Sequence, residues 1–313
     1  MAHSPDALQG TRQGRFRTEP ALPRPAPSRM VPLGRATLEV WDNTGAGSLL
    51  FYPGTMLSPL QYRPLLQALH QSGFAVAGLH LTGHGVNRHS VGFTFDDLLR
   101  DGLEAEKWLA DAGLGPVAVC GHSQGGILAL AHAATSPSLA AALPISAVLP
   151  QTDAAVTLTR FAPLAAHRQK IQAIMRSVAR HLPRLPLPLQ SYLSTRRIVA
   201  GARRCVTSRA RVRLTYPLIF LDSLFSARVS HALRCPLCLF SARDDALFTP
   251  HLTENLFSHV QAPEKKLVWL PGGGHLATMN PPLCRFVARH AAAFCAGLGL
   301  PVRLFDSGAD DGL

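Results

Sequence analysis

A serine stands between two glycines in the pentapeptide Gly121-His122-Ser123-Gln124-Gly125. An apolar run precedes it and a stretch with helical spacing follows it, so we expect the serine on a sharp strand-to-helix turn. Side chains two positions to either side would collide with the neighbouring strand and helix, and the glycines remove that clash. The positive end of the helix dipole stabilises negative charge that develops at the turn. This pattern predicts Ser123 as a nucleophile.

A serine hydroxyl needs a base to take its proton and an acid to orient that base. Both residue types follow predicted strands late in the chain: Asp244 and Asp245 follow one strand, and His275 follows the next behind three glycines. We predict His275 as the base. We predict Asp245 as the acid because a turn that begins at Asp245 matches the usual turn after a catalytic aspartate slightly better than a turn that begins at Asp244. Asp244 stays an alternative, and so does Asp153, which follows the strand after the nucleophile helix.

Backbone N–H groups must also bind the oxyanion that forms when the serine attacks a carbonyl. The Gln124 amide follows the nucleophile directly. The loop Phe51-Tyr52-Pro53-Gly54-Thr55 follows an earlier strand, and we nominate the Thr55 amide as the second donor. Loss of one such donor typically lowers turnover by about 10²- to 10³-fold. This chemistry needs no metal ion and no organic cofactor, and we expect none.

The elements that would position these groups alternate between strand and helix, first up to about residue 149 and again from about residue 236. Such alternation is typical of a parallel sheet with helices on both faces. Residues 36–41 alternate apolar and polar side chains, which predicts a strand with one exposed face. Between the two halves the pattern changes to Arg-rich helices with a Pro-rich break. We predict a flexible leader of residues 1–30, a core of residues 31–150 and 233–300, a helical cap of residues 151–232, and a tail of residues 301–313.

The net charge of +12 is concentrated in the cap. Residues 151–230 contain 14 basic and two acidic residues, and the rest of the chain contains 17 of each. One face of a predicted cap helix carries apolar side chains: Ile171, Ile174, Met175, Val178 and Leu182. Two interpretations stay open: a lid that contacts an acyl chain and an anionic membrane surface, or a helix packed on the domain below. The chain has no interleaved aromatic residues or nucleic-acid-binding module, so we expect no nucleic-acid partner.

Composition excludes several classes of protein. A chain that is 47% hydrophobic and 16% charged can bury a large core, which argues against disorder. The uncharged stretch 112–152 is broken by Gly and Pro into pieces too short to span a membrane. The six cysteines are scattered along the chain. Cys235 and Cys238 are close in sequence, but they lie in a predicted strand and have no further metal ligands at the required spacing. No secretory signal is visible. We therefore expect a cytoplasmic protein with reduced thiols.

Five motifs, in this order, resemble those of an α/β-hydrolase, and most closely the lysophospholipase, monoacylglycerol lipase and serine aminopeptidase group. They are Tyr52-Pro53-Gly54-Thr55, Thr82-Gly83-His84-Gly85, residues 121–125, residues 243–250, and Gly273-Gly274-His275. The resemblance covers about residues 33–298, with the cap only loosely. It implies an α/β-hydrolase fold: a mostly parallel sheet with a helical cap inserted after the strand that follows the nucleophile helix. Pro53 and His80 depart from the group, which commonly has His and Asp at these positions.

The resemblance and the residues together predict a serine hydrolase that cleaves a carboxylic ester through an acyl-enzyme intermediate. Its partner would be a small-molecule acyl ester. Three other reactions on the same Ser-His-Asp set stay open: peptide hydrolysis, thioester hydrolysis and acyl transfer to an acceptor other than water. A further alternative is an inactive hydrolase fold whose basic cap binds an anionic partner.

Overall fold

The structure is a computed structural model that describes residues 28–193 and 212–303. Eight strands form one sheet. Their bounds are β1 Arg29–Leu33, β2 Ala36–Trp41, β3 Ser48–Tyr52, β4 Ala75–His80, β5 Val117–His122, β6 Ala141–Ile145, β9 Leu237–Ala242 and β10 Lys265–Leu270. Two short strands, β7 Pro186–Pro188 and β8 Thr215–Pro217, pair with each other in the inserted region.

The order of strands in the sheet is β1-β2-β4-β3-β5-β6-β9-β10. The pairs β1/β2 and β2/β4 are antiparallel, and every later pair is parallel. Because parallel strands share a direction, the loops after β3, β5, β6, β9 and β10 leave at one edge of the sheet. The predicted site residues therefore come together although they lie far apart in sequence.

Nine α-helices are described. Their bounds are α1 Arg63–Gln71, α2 Phe95–Asp111, α3 Gln124–Thr135, α4 Asp153–Thr157, α5 Arg168–His181, α6 Leu189–Tyr192, α7 Leu218–Ser226, α8 Pro250–His259 and α9 Pro281–Gly297. Helices α4 to α7 lie between β6 and β9, so the insertion follows the strand after α3. None of the helices in the described ranges is long and apolar enough to cross a membrane.

Two consecutive residues of β3 show that helices cover both faces of the sheet. The Phe51 ring lies 4.8 Å from the ring of Tyr62, on the side where α1 packs. The next residue, Tyr52, points the opposite way, as successive strand residues must. Its hydroxyl lies 2.5 Å from His132 Nδ1 of α3 and fills the space that a Cβ at Gly102 of α2 would need. The predicted fold, a mostly parallel sheet covered by helices with an inserted cap, is confirmed.

The predicted exposed face of residues 36–41 is wrong, because β2 is buried almost throughout. The prediction of an exposed face failed at Glu39, a polar residue that is buried. Its carboxylate accepts hydrogen bonds from Ser28 Oγ at 2.8 Å and Arg63 Nη2 at 2.5 Å, and it lies 3.4 Å from His80 Nε2. Burial opposes ionisation of Glu39, but these partners outweigh it and lower the pKa of the carboxyl. A buried carboxylate is tolerated when it is paired in this way.

Two boundaries also differ from the sequence expectation. Strand β1 begins at Arg29, so the last two residues of the predicted leader lie in a strand, and residues 1–27 lie outside the described part. Strand β6 ends at Ile145, whereas the alternation of strands and helices predicted that the first half extends to about residue 149, because Ser146 turns the chain with a φ of 51°. This early turn has a consequence for the site, since it places Ser146 beside Asp245.

Candidate active site

Ser123 connects the end of β5 to the start of α3 with φ 59° and ψ −118°. A non-glycine residue rarely adopts this conformation, so the surroundings must hold it. A Cβ at Gly121 would lie 2.1 Å from Gly125 O, and a Cβ at Gly125 would lie 2.1 Å from Tyr52 O. Both contacts are with backbone atoms that cannot move aside. Glycine is therefore required at each position for the turn to exist.

His275 and Asp245 are paired. His275 Nδ1 lies 3.0 Å from Asp245 Oδ2, and the carboxylate also accepts hydrogen bonds from Ser146 Oγ and from the amides of Leu247 and Phe248. Burial opposes ionisation of Asp245, but the hydrogen bond and charge of His275 and the two amides outweigh it and lower its pKa. An ionised Asp245 keeps the proton of His275 on Nδ1, which leaves Nε2 free to accept a proton.

The neighbouring carboxylate, Asp244, has a different position. It is exposed and accepts hydrogen bonds from the amides of Gly273 and Gly274 at 3.1 and 3.0 Å. Both glycines have positive φ, at 99° and 57°. Asp244 thus stabilises the glycine turn that directly precedes His275. Asp153 is exposed in α4, and in the described part of the chain no hydrogen bond joins it to His275.

Ser123 and His275 line the same cavity. Within the described residues, the Ser123 hydroxyl makes no hydrogen bond with His275. Such contacts are often long in ligand-free hydrolases and tighten when substrate binds. The imidazole of His275 is stacked on Phe248, with ring centroids 5.1 Å apart and an angle of 7° between the rings. This stacking limits the orientations of the imidazole to those in which Asp245 stays within reach.

His122 connects three parts of the site, a role that its place in the sequence motif does not indicate. Its Nε2 donates to the carbonyl oxygen of His275 at 2.8 Å, and its Nδ1 accepts from the hydroxyl of Tyr62 at 2.7 Å. The same hydroxyl accepts from the Gly54 amide at 3.1 Å. Burial, followed by the nearby charge of His275, lowers the pKa of His122 to about 3. His122 is therefore neutral, as this pattern of donors and acceptors requires.

The hydrogen bonds of the loop after β3 distinguish one amide from its neighbours. The Gly54 amide donates to Tyr62, the Met56 amide donates to Tyr216 Oη at 2.6 Å, and the Leu57 amide donates to the carbonyl of Gly54. In the described part of the chain, the Thr55 amide has no such acceptor. The Gln124 amide is the first of α3 and has no partner within the helix. The Thr55 hydroxyl donates to Gln124 Oε1 at 3.1 Å, which keeps the two residues side by side.

The walls of this cavity are mostly apolar. The cap contributes seven leucine and phenylalanine side chains: Leu158, Leu189, Leu193, Phe220, Leu221, Leu224 and Phe225. Leu247, Phe248 and Leu276 line it from the core, and among the described lining residues there is no carboxylate. Such a cavity binds a hydrocarbon chain well and a charged group poorly.

Cys235 and Cys238, two free cysteines three positions apart, do not line the cavity. Both side chains are buried, and burial raises the pKa of each thiol to about 12. Metal binding and disulfide exchange need the thiolate, which burial disfavours here. Cys205 lies outside the described residues.

Residues 45–282 match the family described as serine aminopeptidase, S33. A thermostable monoacylglycerol lipase from Bacillus sp. (strain H-257) is 25% identical over 259 residues, which cover 80% of this chain and 93% of the relative.

Solved structures with a similar fold include the following two. One is a soluble variant of monoglyceride lipase from Saccharomyces cerevisiae in complex with a substrate analogue, with a TM-score of 0.63, 14% identity, and coverage of 87% of this chain and 96% of that one. The other is the Paleococcus ferrophilus monoacylglycerol lipase, with a TM-score of 0.61, 17% identity, and coverage of 83% and 98%. At these identities the likeness shows the α/β-hydrolase fold.

Proposed function

This chain belongs to the serine aminopeptidase S33 family of α/β-hydrolases, and from that premise we propose that it hydrolyses carboxylic esters of acyl chains with Ser123, His275 and Asp245 as its catalytic triad. The observation that carries the proposal is the pairing of His275 Nδ1 with Asp245 at 3.0 Å in a cavity that Ser123 also lines. A serine on a strained turn beside an oriented imidazole is the arrangement that nucleophilic catalysis needs.

The reaction follows from these positions. Ser123 Oγ attacks the ester carbonyl carbon while its proton passes to His275 Nε2. The amides of Thr55 and Gln124 donate to the oxyanion, and the leaving alcohol takes the proton from His275. Water, activated by the same imidazole, then attacks the acyl-enzyme and releases the acid and Ser123. Asp245 stays ionised throughout and stabilises the imidazolium that forms twice in the cycle.

The substrate class follows from the cavity walls. An acyl chain would be buried against the leucines and phenylalanines of the cap, at about 0.8 kcal/mol for each CH₂ removed from water. A substrate of an aminopeptidase carries an ammonium group, and none of the described lining residues offers a carboxylate to bind it. This favours an ester of a fatty acid over a peptide. The likeness to a monoacylglycerol lipase supports a monoacyl ester as the substrate.

We further propose that the cap contacts an anionic membrane surface. Ile174 and Val178 of α5 are 65% and 39% exposed, and Leu182, directly after the helix, is 53% exposed. Lys170 and Arg180 of the same helix are exposed as well. Apolar side chains that insert into a bilayer beside basic groups that meet anionic headgroups are typical of interfacial helices.

The decisive experiment compares Ser123→Ala with Ser258→Ala, a substitution at an exposed serine of α8. We expect Ser123→Ala to lose ester hydrolysis and labelling by a fluorophosphonate probe, and Ser258→Ala to keep both. Matched ester, thioester and amide substrates, with acyl chains from two to sixteen carbons, identify the reaction and the chain length. Full hydrolysis of p-nitrophenyl esters by Ser123→Ala contradicts the proposal, and so does a faster reaction with the amide.

A further inference from the structure

We propose that the cap segment of residues 212–217, here called the strap, holds the oxyanion loop in its active conformation, and that Tyr216 is a positioning residue for the Thr55 amide. The inference rests on the proposed function, because it concerns the oxyanion donors of that reaction. Tyr216 does not line the catalytic cavity. Its effect must therefore pass through Met56, the residue after Thr55.

Met56 is in a conformation that needs external support. Its φ is 65°, in the left-handed region that a long side chain rarely adopts. Both of its backbone polar groups bind the strap: its amide donates to Tyr216 Oη at 2.6 Å, and its carbonyl accepts from the Arg213 amide at 2.9 Å. These two bonds fix the peptide planes on either side of Met56. Without them the residue can relax to a negative φ.

The Thr55 amide thus lies between two amides that tyrosine hydroxyls hold. Tyr62, which belongs to the core, accepts from Gly54 on one side, and Tyr216, which belongs to the cap, accepts from Met56 on the other. The amide between them is the one without an acceptor in the described part of the chain. Its direction is therefore set jointly by the core and by the cap.

His84 sets the orientation of the Tyr216 hydroxyl, as the second hydrogen-bond partner of this group besides the Met56 amide. Tyr216 Oη lies 2.8 Å from His84 Nε2, and His84 Nδ1 lies 3.0 Å from Thr82 O. The carbonyl can only accept, so Nδ1 carries the proton and Nε2 accepts from Tyr216. Burial lowers the pKa of His84 to about 4, which keeps it neutral. Thr82 donates in turn, through its amide and its hydroxyl, to Asp101 of α2. The hydrogen bonds run in one direction from Met56 to Asp101.

Arg213 attaches the strap to the core. Its guanidinium donates to the carbonyl of Gly83 at 2.7 Å and lies 4.9 Å from the ring centroid of Phe93 and 5.7 Å from that of Tyr216. Tyr216 and Phe93 also contact each other, with centroids 6.3 Å apart. The strap is therefore held against the loop after β4 independently of its bonds to Met56. Removal of the Tyr216 hydroxyl alone should leave the strap in place and release the Met56 amide on one side and His84 Nε2 on the other.

The test is Tyr216→Phe, which keeps the ring and removes the hydroxyl. Thr253→Val is the matched control, since it also removes a buried hydroxyl hydrogen bond, from Thr253 Oγ1 of α8 to Ser241 Oγ, between two residues that do not line the cavity. The probes are an alkyl trifluoromethyl ketone, which forms an oxyanion when serine adds to it, and the corresponding alcohol, which cannot. We expect Tyr216→Phe to lower kcat and ketone affinity by about 10- to 100-fold, with KM and alcohol affinity nearly unchanged. In Thr253→Val the ratio of the two affinities should stay that of the wild type.

Amide hydrogen exchange measured without any ligand makes the inference independent of activity. Tyr216→Phe should speed exchange at Met56 and leave Gly54, which Tyr62 holds, unchanged. Unchanged exchange at Met56, or equal losses of ketone and alcohol affinity, would overturn the inference. A wild-type protein that hydrolyses no ester but shows faster Met56 exchange in Tyr216→Phe would overturn the proposed function and leave the role of Tyr216 in holding the loop intact.

Discussion

Two adjacent carboxylates, Asp244 and Asp245, have separate partners. Asp245 is buried against His275 and Ser146, and Asp244 is exposed and binds two glycine amides. Both residues lie in the turn after β9, which the hydrogen bond from the Asp245 amide to the Ala242 carbonyl closes, and there the two side chains point to different groups. One of them can orient the imidazole while the other supports the turn that carries it.

At this scale we predict that Asp245→Asn lowers kcat by about 10³- to 10⁴-fold, because an amide that donates to Nδ1 stabilises the wrong tautomer of His275. Asp244→Asn keeps one acceptor for the glycine turn, and we expect it to lose less than about tenfold. Ester hydrolysis at saturating substrate measures both variants. If Asp244→Asn were the more damaging change, the assignment of the acid would be wrong.

Helix α5 shows why an amphipathic pattern alone left two interpretations open. Its apolar face divides between two environments in the structure. Ile171 and Met175 are half-buried beside Phe225, whereas Ile174, Val178 and Leu182 are exposed. A helix that only packed on the domain below would bury the whole face. The exposed part is what a membrane surface would cover.

For this element we predict that the protein sediments with vesicles that contain phosphatidylglycerol, more than with pure phosphatidylcholine vesicles. Each basic residue near an anionic surface contributes about 1 kcal/mol, so 0.5 M salt should weaken binding strongly. Replacement of Ile174 and Val178 by serine should reduce binding about tenfold or more. The control is Met30→Ser, which removes an exposed apolar side chain from β1. Equal binding to both vesicle types would contradict the prediction.

The molecule as a whole buries several histidines in the neutral form. Burial lowers the pKa of His70, of His84 to about 4 and of His122 to about 3, from an ordinary value of 6.5. Asp101 acts in the opposite sense, since burial raises its pKa to about 6. Below pH 6.5 these histidines bind protons in the unfolded chain but stay neutral in the folded protein, so acid favours unfolding. On unfolding in acid, the three histidines take up more protons than the one aspartate releases.

We therefore predict that the free energy of unfolding falls as pH is lowered from about 6.5 to about 4.5, by up to about 1.4 kcal/mol per pH unit for each uncompensated histidine. Urea denaturation at a series of pH values measures this. His122→Asn removes one of the groups, so its stability should depend less steeply on pH, whatever its stability at pH 7. A denaturation midpoint that does not change between pH 7 and pH 4.5 would show that the histidines are not neutral in the folded state.

The sequence by itself determined the features that depend on local sterics and local periodicity. The glycines at 121 and 125 are required by backbone contacts within one turn and the strand beside it, and the alternation of strands and helices follows from apolar spacing. These features predicted the sheet and the inserted cap. The burial of β2 could not be predicted in this way, because Glu39 has the polarity of a surface residue and its partners Arg63 and His80 lie 24 and 41 positions away.

Only the tertiary structure decided which distant side chains meet. Asp245 reaches His275 and Asp244 does not, although the two differ by one position. Ser146 joins Asp245 across 99 positions, and Tyr216 joins Met56 across 160. Such contacts depend on the order of strands in the sheet and on the path of the cap across its edge. Periodicity says which face of an element is apolar, but it carries no information about which element lies next to it in space.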